Sequence, residues 1–132
     1  MILGFDPGRD KCGLAVMDEN RQIYTHCVVE SPEAIATVRQ FCQQYSIQKI
    51  AMGNLTTAQQ WYKQLKAELG QDFPIEMIDE ENSSLEARDR YWQMYPPRGF
   101  MRLLPHGMRL PPRPVDDIVA IILIERYLAQ QA

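Results

Sequence analysis

The chain has 132 residues, 45% of them hydrophobic and 23% charged, with a formal net charge of −3. That length builds one domain with a real core and no more, and the composition excludes a disordered, collagen-like or fibrous chain. The acidic balance excludes a protein that coats nucleic acid without selectivity, so any contact with a polyanion must be local. The longest apolar run, Ile118 to Ile124, falls well short of the ~20 residues that cross a bilayer, which predicts a cytoplasmic protein with no membrane partner. Cys12, Cys27 and Cys42 are odd in number and form no Cys-x-x-Cys or Cys/His cluster, so buried free thiols are expected rather than a zinc site.

Residues 2–6, 12–18 and 23–30 are short β-branched or aromatic segments separated by Asp-Pro-Gly and Asp-Glu-Asn-Arg turn signals, and predict three antiparallel strands. Ser31-Pro32-Glu33 supplies an N-cap, a proline at the first helical position and an acid in the first turn, so a helix is expected to Tyr45. Residues 47–53 read as a buried strand. Thr57 with Gln60 makes a capping box for a second helix that closes at Gly70, and residues 75–79 form another strand. Ser83 with Glu86 makes a further capping box for a helix to Met94, where Pro96-Pro97 forbids continuation. Between Tyr95 and Pro114 the chain places six of its nine prolines, so no regular element is expected there. Val115 restores a pattern and leads an apolar helix to about Leu128. The order specifies one α/β domain over residues 1–132: three antiparallel strands, then alternating helix and strand, in a mixed sheet with helices on both faces.

Acids stand at the ends of these elements. Asp6 ends the first strand inside Gly4-Phe5-Asp6-Pro7-Gly8, Asp79-Glu80-Glu81 ends the last strand, and Asp116-Asp117 opens the final helix. Each has a plain explanation alone, as a turn, a solvated strand end or a helix cap. Gathered by the sheet, such carboxylates repel one another unless a cation lies among them. Hard oxygen ligands suit Mg2+ or Mn2+, which complete their coordination with water and phosphate oxygens.

The segments ILGFDPGRDKCGLAVMD at 2–18, IDEENSSLEAR at 78–88 and VDDIVAIILIERYL at 115–128 occur in an order that resembles the YqgF family, also called RuvX or Holliday-junction-resolvase-like proteins. The resemblance covers nearly the whole chain. It implies a ribonuclease-H-like fold related to the RuvC resolvases, and a nuclease linked to maturation of the pre-16S ribosomal RNA end. Position by position it implies Asp6, Glu80 and Asp116 as catalytic metal ligands. Glu81 and Asp117 are adjacent acids that a shift of one residue would bring in instead. The chain departs from the family where Asp10-Lys11-Cys12-Gly13 replaces Lys-Arg-Ile-Gly, where Asp79-Glu80-Glu81 replaces Asp-Glu-Arg, and where Gly53-Asn54-Leu55-Thr56 replaces a proline-containing loop. These changes bear on the substrate more than on the reaction.

The proline-rich segment carries Arg98, Arg102, Arg109 and Arg113, and Tyr95, Phe100 and His106 are interspersed among them. Arginine with aromatic rings suits phosphate contact and base stacking, so these four arginines and Lys11 are expected to touch nucleic acid, either structured RNA or branched DNA. His106 is a candidate proton donor. Two further classes compete. A catalytically silent nucleic-acid or ribosome-assembly binding module would need the arginines and not the acids. A sugar-kinase-like ATPase would also open on an Asp-x-Gly turn, but it needs two lobes of this fold, and the P-loop pattern is missing from this chain too. A resolvase acting symmetrically on a junction would be a homodimer, and an RNA nuclease can be a monomer.

Overall fold

A computed structural model describes residues 1–55 and 57–131; Thr56, the last residue of the departing loop named above, and Ala132 lie outside the described residues. Five strands, β1 (Ile2–Asp6), β2 (Lys11–Met17), β3 (Ile23–Glu30), β4 (Lys49–Gly53) and β5 (Ile75–Ile78), form one sheet in the order β3-β2-β1-β4-β5. The first three are antiparallel neighbours, and β4 and β5 run parallel to β1. The helices are α1 (Ala34–Gln44), α2 (Ala58–Leu69), α3 (Ser83–Met94) and α4 (Asp116–Gln131).

Alternation along β1 divides the core. Leu3 and Phe5 point to the face covered by α1 and α2, where Val38, Phe41, Ala58 and Leu65 meet them. Ile2 points to the other face, where α4 lies with α3 outside it. The residues from Ile118 to Ile124 are all buried, because α4 is covered by the sheet on one side and by α3 on the other. A helix sealed on both sides reads as a continuous apolar run rather than a stripe.

Two glycines bring α4 close to the sheet. A Cβ at Gly4 would overlap the Ala120 carbonyl, and one at Gly13 would overlap the Asp116 carbonyl. Without side chains at these positions the start of α4 can lie directly on β1 and β2. Among the described residues no helix is long and apolar enough to cross a membrane.

The expected order of strands and α-helices holds, but the proline-rich segment, expected to hold no regular element, contains two short 3-10 turns, Gly99–Leu103 and His106–Met108, and the expected caps are not formed. Ser31 donates its hydroxyl to the Gly8 carbonyl at 3.0 Å, tying β1's turn to the chain after β3; residues 31–33 form a short 3-10 turn, and α1 starts at Ala34. Thr57 precedes α2 with no side-chain cap bond. Before α3 the cap is Asn82, left-handed at φ 61, which puts Ser83 inside the helix. The Glu86 carboxylate, expected to reach back to that terminus, instead accepts from Arg126 at 2.8 Å. For Ser31 and Glu86 a tertiary partner displaced the local one. The cysteines are free, Cys12 buried and Cys27 and Cys42 half-buried.

Candidate active site

β1 ends at Asp6, which is paired with Gly13 of β2. On its other side, one residue beyond the Phe5–Met52 pair, lies Gly53 at the end of β4. Asp6 is therefore flanked by glycine on both neighbouring strands. Gly13 admits the first turn of α4, and Gly53 admits the Glu80 carboxylate, since a Cβ there would overlap it. The carboxyl ends of parallel strands are where open α/β sheets place ligands, and this cradle puts three acids there.

Asp6 and Glu80 are buried, 8% and 5% exposed, and Asp116 is half-buried. Burial pushes the Asp6 carboxyl up to about 10, reinforced by its hydrogen bond to Glu80, by the Glu80 charge, and then by Asp116. Asp6 thus keeps its proton at neutral pH and donates it toward the neighbouring carboxylates. Among the described residues no three acids are already spread about one metal position, although Glu80 and Asp116 both lie near enough to Asp6 to raise its carboxyl. Glu80 Oε2 is buried with no hydrogen-bond partner among the described residues, an orphaned acceptor of the kind that a cation or proton satisfies. This orphan, the glycine cradle and the hard oxygen donors fit Mg2+ or Mn2+.

Asp117 turns another way. It is 2% exposed, accepts from His26 Nδ1 at 2.6 Å and Arg113 Nη1 at 3.0 Å, and also accepts the Ile118 N–H. Burial works against its charge, but His26 and Arg113 outweigh burial and hold the carboxyl below its usual range. Consecutive helical residues lie about 100° apart, so Asp116 and Asp117 belong to different groups. Glu81 is exposed.

Arg126 is the residue that sequence reasoning missed. Its guanidinium donates to the Asp79 carbonyl at 2.6 Å and the Glu81 carbonyl at 2.8 Å, bracketing Glu80, and also to Glu86. The Glu80 N–H is held from the other side by Asn54 Oδ1 at 3.3 Å. No local pattern announces a contact 47 residues apart; only the diagonal crossing of α4 over the sheet creates it.

The expected basic residues separate by role. Arg109 donates to the Met101, Leu104 and Arg102 carbonyls and so shapes the proline-rich loop from within. Arg113 is tied to Asp117 and lies over the Tyr91 and Tyr95 rings. Arg98 and Arg102 are exposed on the loop. Lys11 lines a cavity of about 530 Å³ with His26, Glu30, Arg113 and Asp117. His106 pairs with Asp89 of α3 at 2.9 Å and is not among the residues around Asp6.

A mixed sheet in this strand order, with acids gathered at the ends of its parallel strands, defines the ribonuclease-H-type class of nuclease folds. Within that class the RuvX family, described as Holliday junction resolvase, matches residues 1–130, and the chain belongs to it. RuvC from Thermus thermophilus shares the fold: TM-score 0.58, 15% identity, 99% of this chain and 96% of that one. A protein from Cytophaga hutchinsonii described as a putative sugar kinase is similar over 67% of this chain at TM-score 0.48 and 12% identity, and the chain spans 38% of its length. A ROK family protein from Streptococcus pneumoniae, solved with sucrose, gives TM-score 0.46 and 15% identity, over 72% of this chain and 38% of that one. No curated protein matches the sequence.

Proposed function

We propose that this protein is a divalent-metal-dependent nuclease that hydrolyses a phosphodiester backbone, with Asp6, Glu80 and Asp116 as its metal-holding acids and the precursor of 16S ribosomal RNA as its substrate. The observation that carries the reading is buried Asp6, flanked by the glycines that admit Glu80 and the first turn of α4, beside the unpartnered Glu80 oxygen. Burying Asp6 beside Glu80 raises the Asp6 carboxyl and leaves a Glu80 oxygen without a partner among the described residues, a cost that a surface for binding alone gives no reason to carry. Bound there, Mg2+ or Mn2+ would supply Lewis-acid stabilisation of phosphate charge and a lowered water pKa. The chain's own part is to exchange the Asp6 proton for that cation, to fix Glu80 through Arg126 and Asn54, and to meet the strand with Lys11, Arg98 and Arg102. The RNA substrate follows from the family resemblance. Branched DNA is the second reading, favoured by the family's description as a Holliday junction resolvase.

The test is purified protein on end-labelled RNA carrying the 16S 5′ precursor, on a four-way DNA junction and on plain duplex, each with Mg2+, Mn2+ or chelator. Cleavage of the RNA that needs metal and disappears in Asp6→Asn is expected. Cleavage of the junction alone, by a species of dimeric mass in solution, would replace RNA with DNA as the substrate. Metal-independent cleavage, or full activity of Asp6→Asn, refutes the site, and binding without cleavage leaves a binding module.

A further inference from the structure

A second concave site lies away from the carboxylates, where the C-terminal end of α3 meets the proline-rich loop. Tyr91, Trp92, Tyr95, Pro96, Pro112 and Arg98 line a cleft of about 420 Å³, within the ~300–1,000 Å³ of small-molecule sites. The rings are held in place before any ligand arrives. Trp92 donates its indole N–H to the Arg109 carbonyl at 3.1 Å, and Arg109 is itself fixed to the loop backbone. Tyr91 stands edge-on to Trp92 at 4.9 Å and tilted to Tyr95 at 5.1 Å. Anchoring the loop explains Tyr91, which is 8% exposed, but not Tyr95, which is 42% exposed beside open volume. The Arg113 guanidinium lies over Tyr91 and Tyr95, at 5.4 and 5.8 Å from their centroids, and donates to the Pro114 carbonyl at 2.7 Å and to Asp117, the neighbour of Asp116. No acid lines the cleft, and Arg98 stands at its edge.

We propose that this cleft is a nucleobase subsite, which takes one unpaired base of the bound strand against Tyr95 and Trp92 while Arg98 meets the adjoining phosphate. Flat, preorganised aromatic walls with a cation and no carboxylate match a planar base on a polyanion, and every base offers a π-face to them. Arg113, in contact with both Tyr95 and Asp117, joins the subsite to the first turn of α4. The subsite deepens the nucleic-acid reading above and selects single-stranded or locally opened substrate over continuous duplex.

The experiment measures binding in chelator, so that cleavage plays no part. Labelled single-stranded RNA and DNA 12-mers, the same strands carrying one abasic position at successive sites, and the corresponding blunt duplexes are titrated with the full chain. Stacking of one base is worth about 1–3 kcal/mol, so Tyr95→Ala is expected to weaken single-strand binding by about 5- to 150-fold at ~1.4 kcal/mol per tenfold. Tyr95→Phe should restore it, duplex affinity should be unmoved, and one abasic position should lower wild-type affinity as Tyr95→Ala does. If Tyr95→Ala fails to keep the wild-type melting temperature, Arg98→Ala and the abasic series on wild type decide the matter. Equal loss for single strand and duplex, or no loss in any arm, overturns the subsite, as does a wild-type protein that binds neither form. An intact base preference in a protein that never cleaves with Mg2+ or Mn2+ would instead overturn the nuclease reading and leave the subsite standing.

Discussion

Replacing Asp6 by Asn should stabilise the protein increasingly as pH rises. In the native state burial, Glu80 and Asp116 keep Asp6 protonated up to about 10, whereas in the unfolded chain it titrates at the ordinary value of 3.8. Between those values the native state binds one proton more than the unfolded state. Stability then falls with pH, by about 1.4 kcal/mol per unit for one proton. Asn holds the same shape with no proton to retain, so the gap between Asp6→Asn and wild type should widen by about 2.7 kcal/mol from pH 6 to pH 8. At about 4 °C per kcal/mol for a domain of this size, that is a Tm difference growing by roughly 10 °C. Urea unfolding in chelator at pH 6, 7 and 8 reads it directly. Adding Mg2+ or Mn2+ should narrow the gap, since a ligand at ten times its Kd stabilises only the chain that binds it, by about 1.4 kcal/mol. A stability difference independent of pH would refute the proton-sharing account, and one untouched by metal would refute the cation that replaces the proton.

Gly53→Ala should displace the Glu80 carboxylate, because the added methyl overlaps it; calorimetry should show metal affinity lowered at least tenfold with a stability change of about 1 kcal/mol or less, and unchanged affinity would show that Glu80 is not a ligand. Arg126→Ala removes three hydrogen bonds around Glu80 and should cost about 1–3 kcal/mol. It should also weaken metal binding, whereas Glu86→Ala, which breaks only the exposed pair, should leave metal binding intact. Asp117→Asn leaves His26 and Arg113 without their buried anion and should cost about 2–4 kcal/mol at pH 7. Because that carboxyl is held below its usual range, its contribution is present above pH ~4 and lost as pH falls through its native value; denaturation scans of wild type and variant should converge in acid.

The sequence by itself determined the order of elements, because the turn residues, the periods of apolar side chains and the prolines after α3 are local signals. It also determined where acids could gather, since Asp6, Glu80 and Asp116 each close or open an element whose position in a mixed sheet follows from that order. What it left open needed three dimensions. Asp116 and Asp117 are indistinguishable as neighbours in a chain, and only the rotation of α4, set by Gly4 and Gly13 against its backbone, turns one toward Asp6 and the other toward His26. Ser31 and Glu86 had the right spacing for caps, but Gly8 and Arg126, distant in sequence, took their hydrogen bonds. Arg98 and Arg109 are alike in composition, and only the folded loop separates a cation facing outward from one bonded to three backbone carbonyls. Local propensity fixes the elements, whereas each polar side chain's partner is decided by whichever acceptor the packed sheet and helices bring within about 3 Å of it.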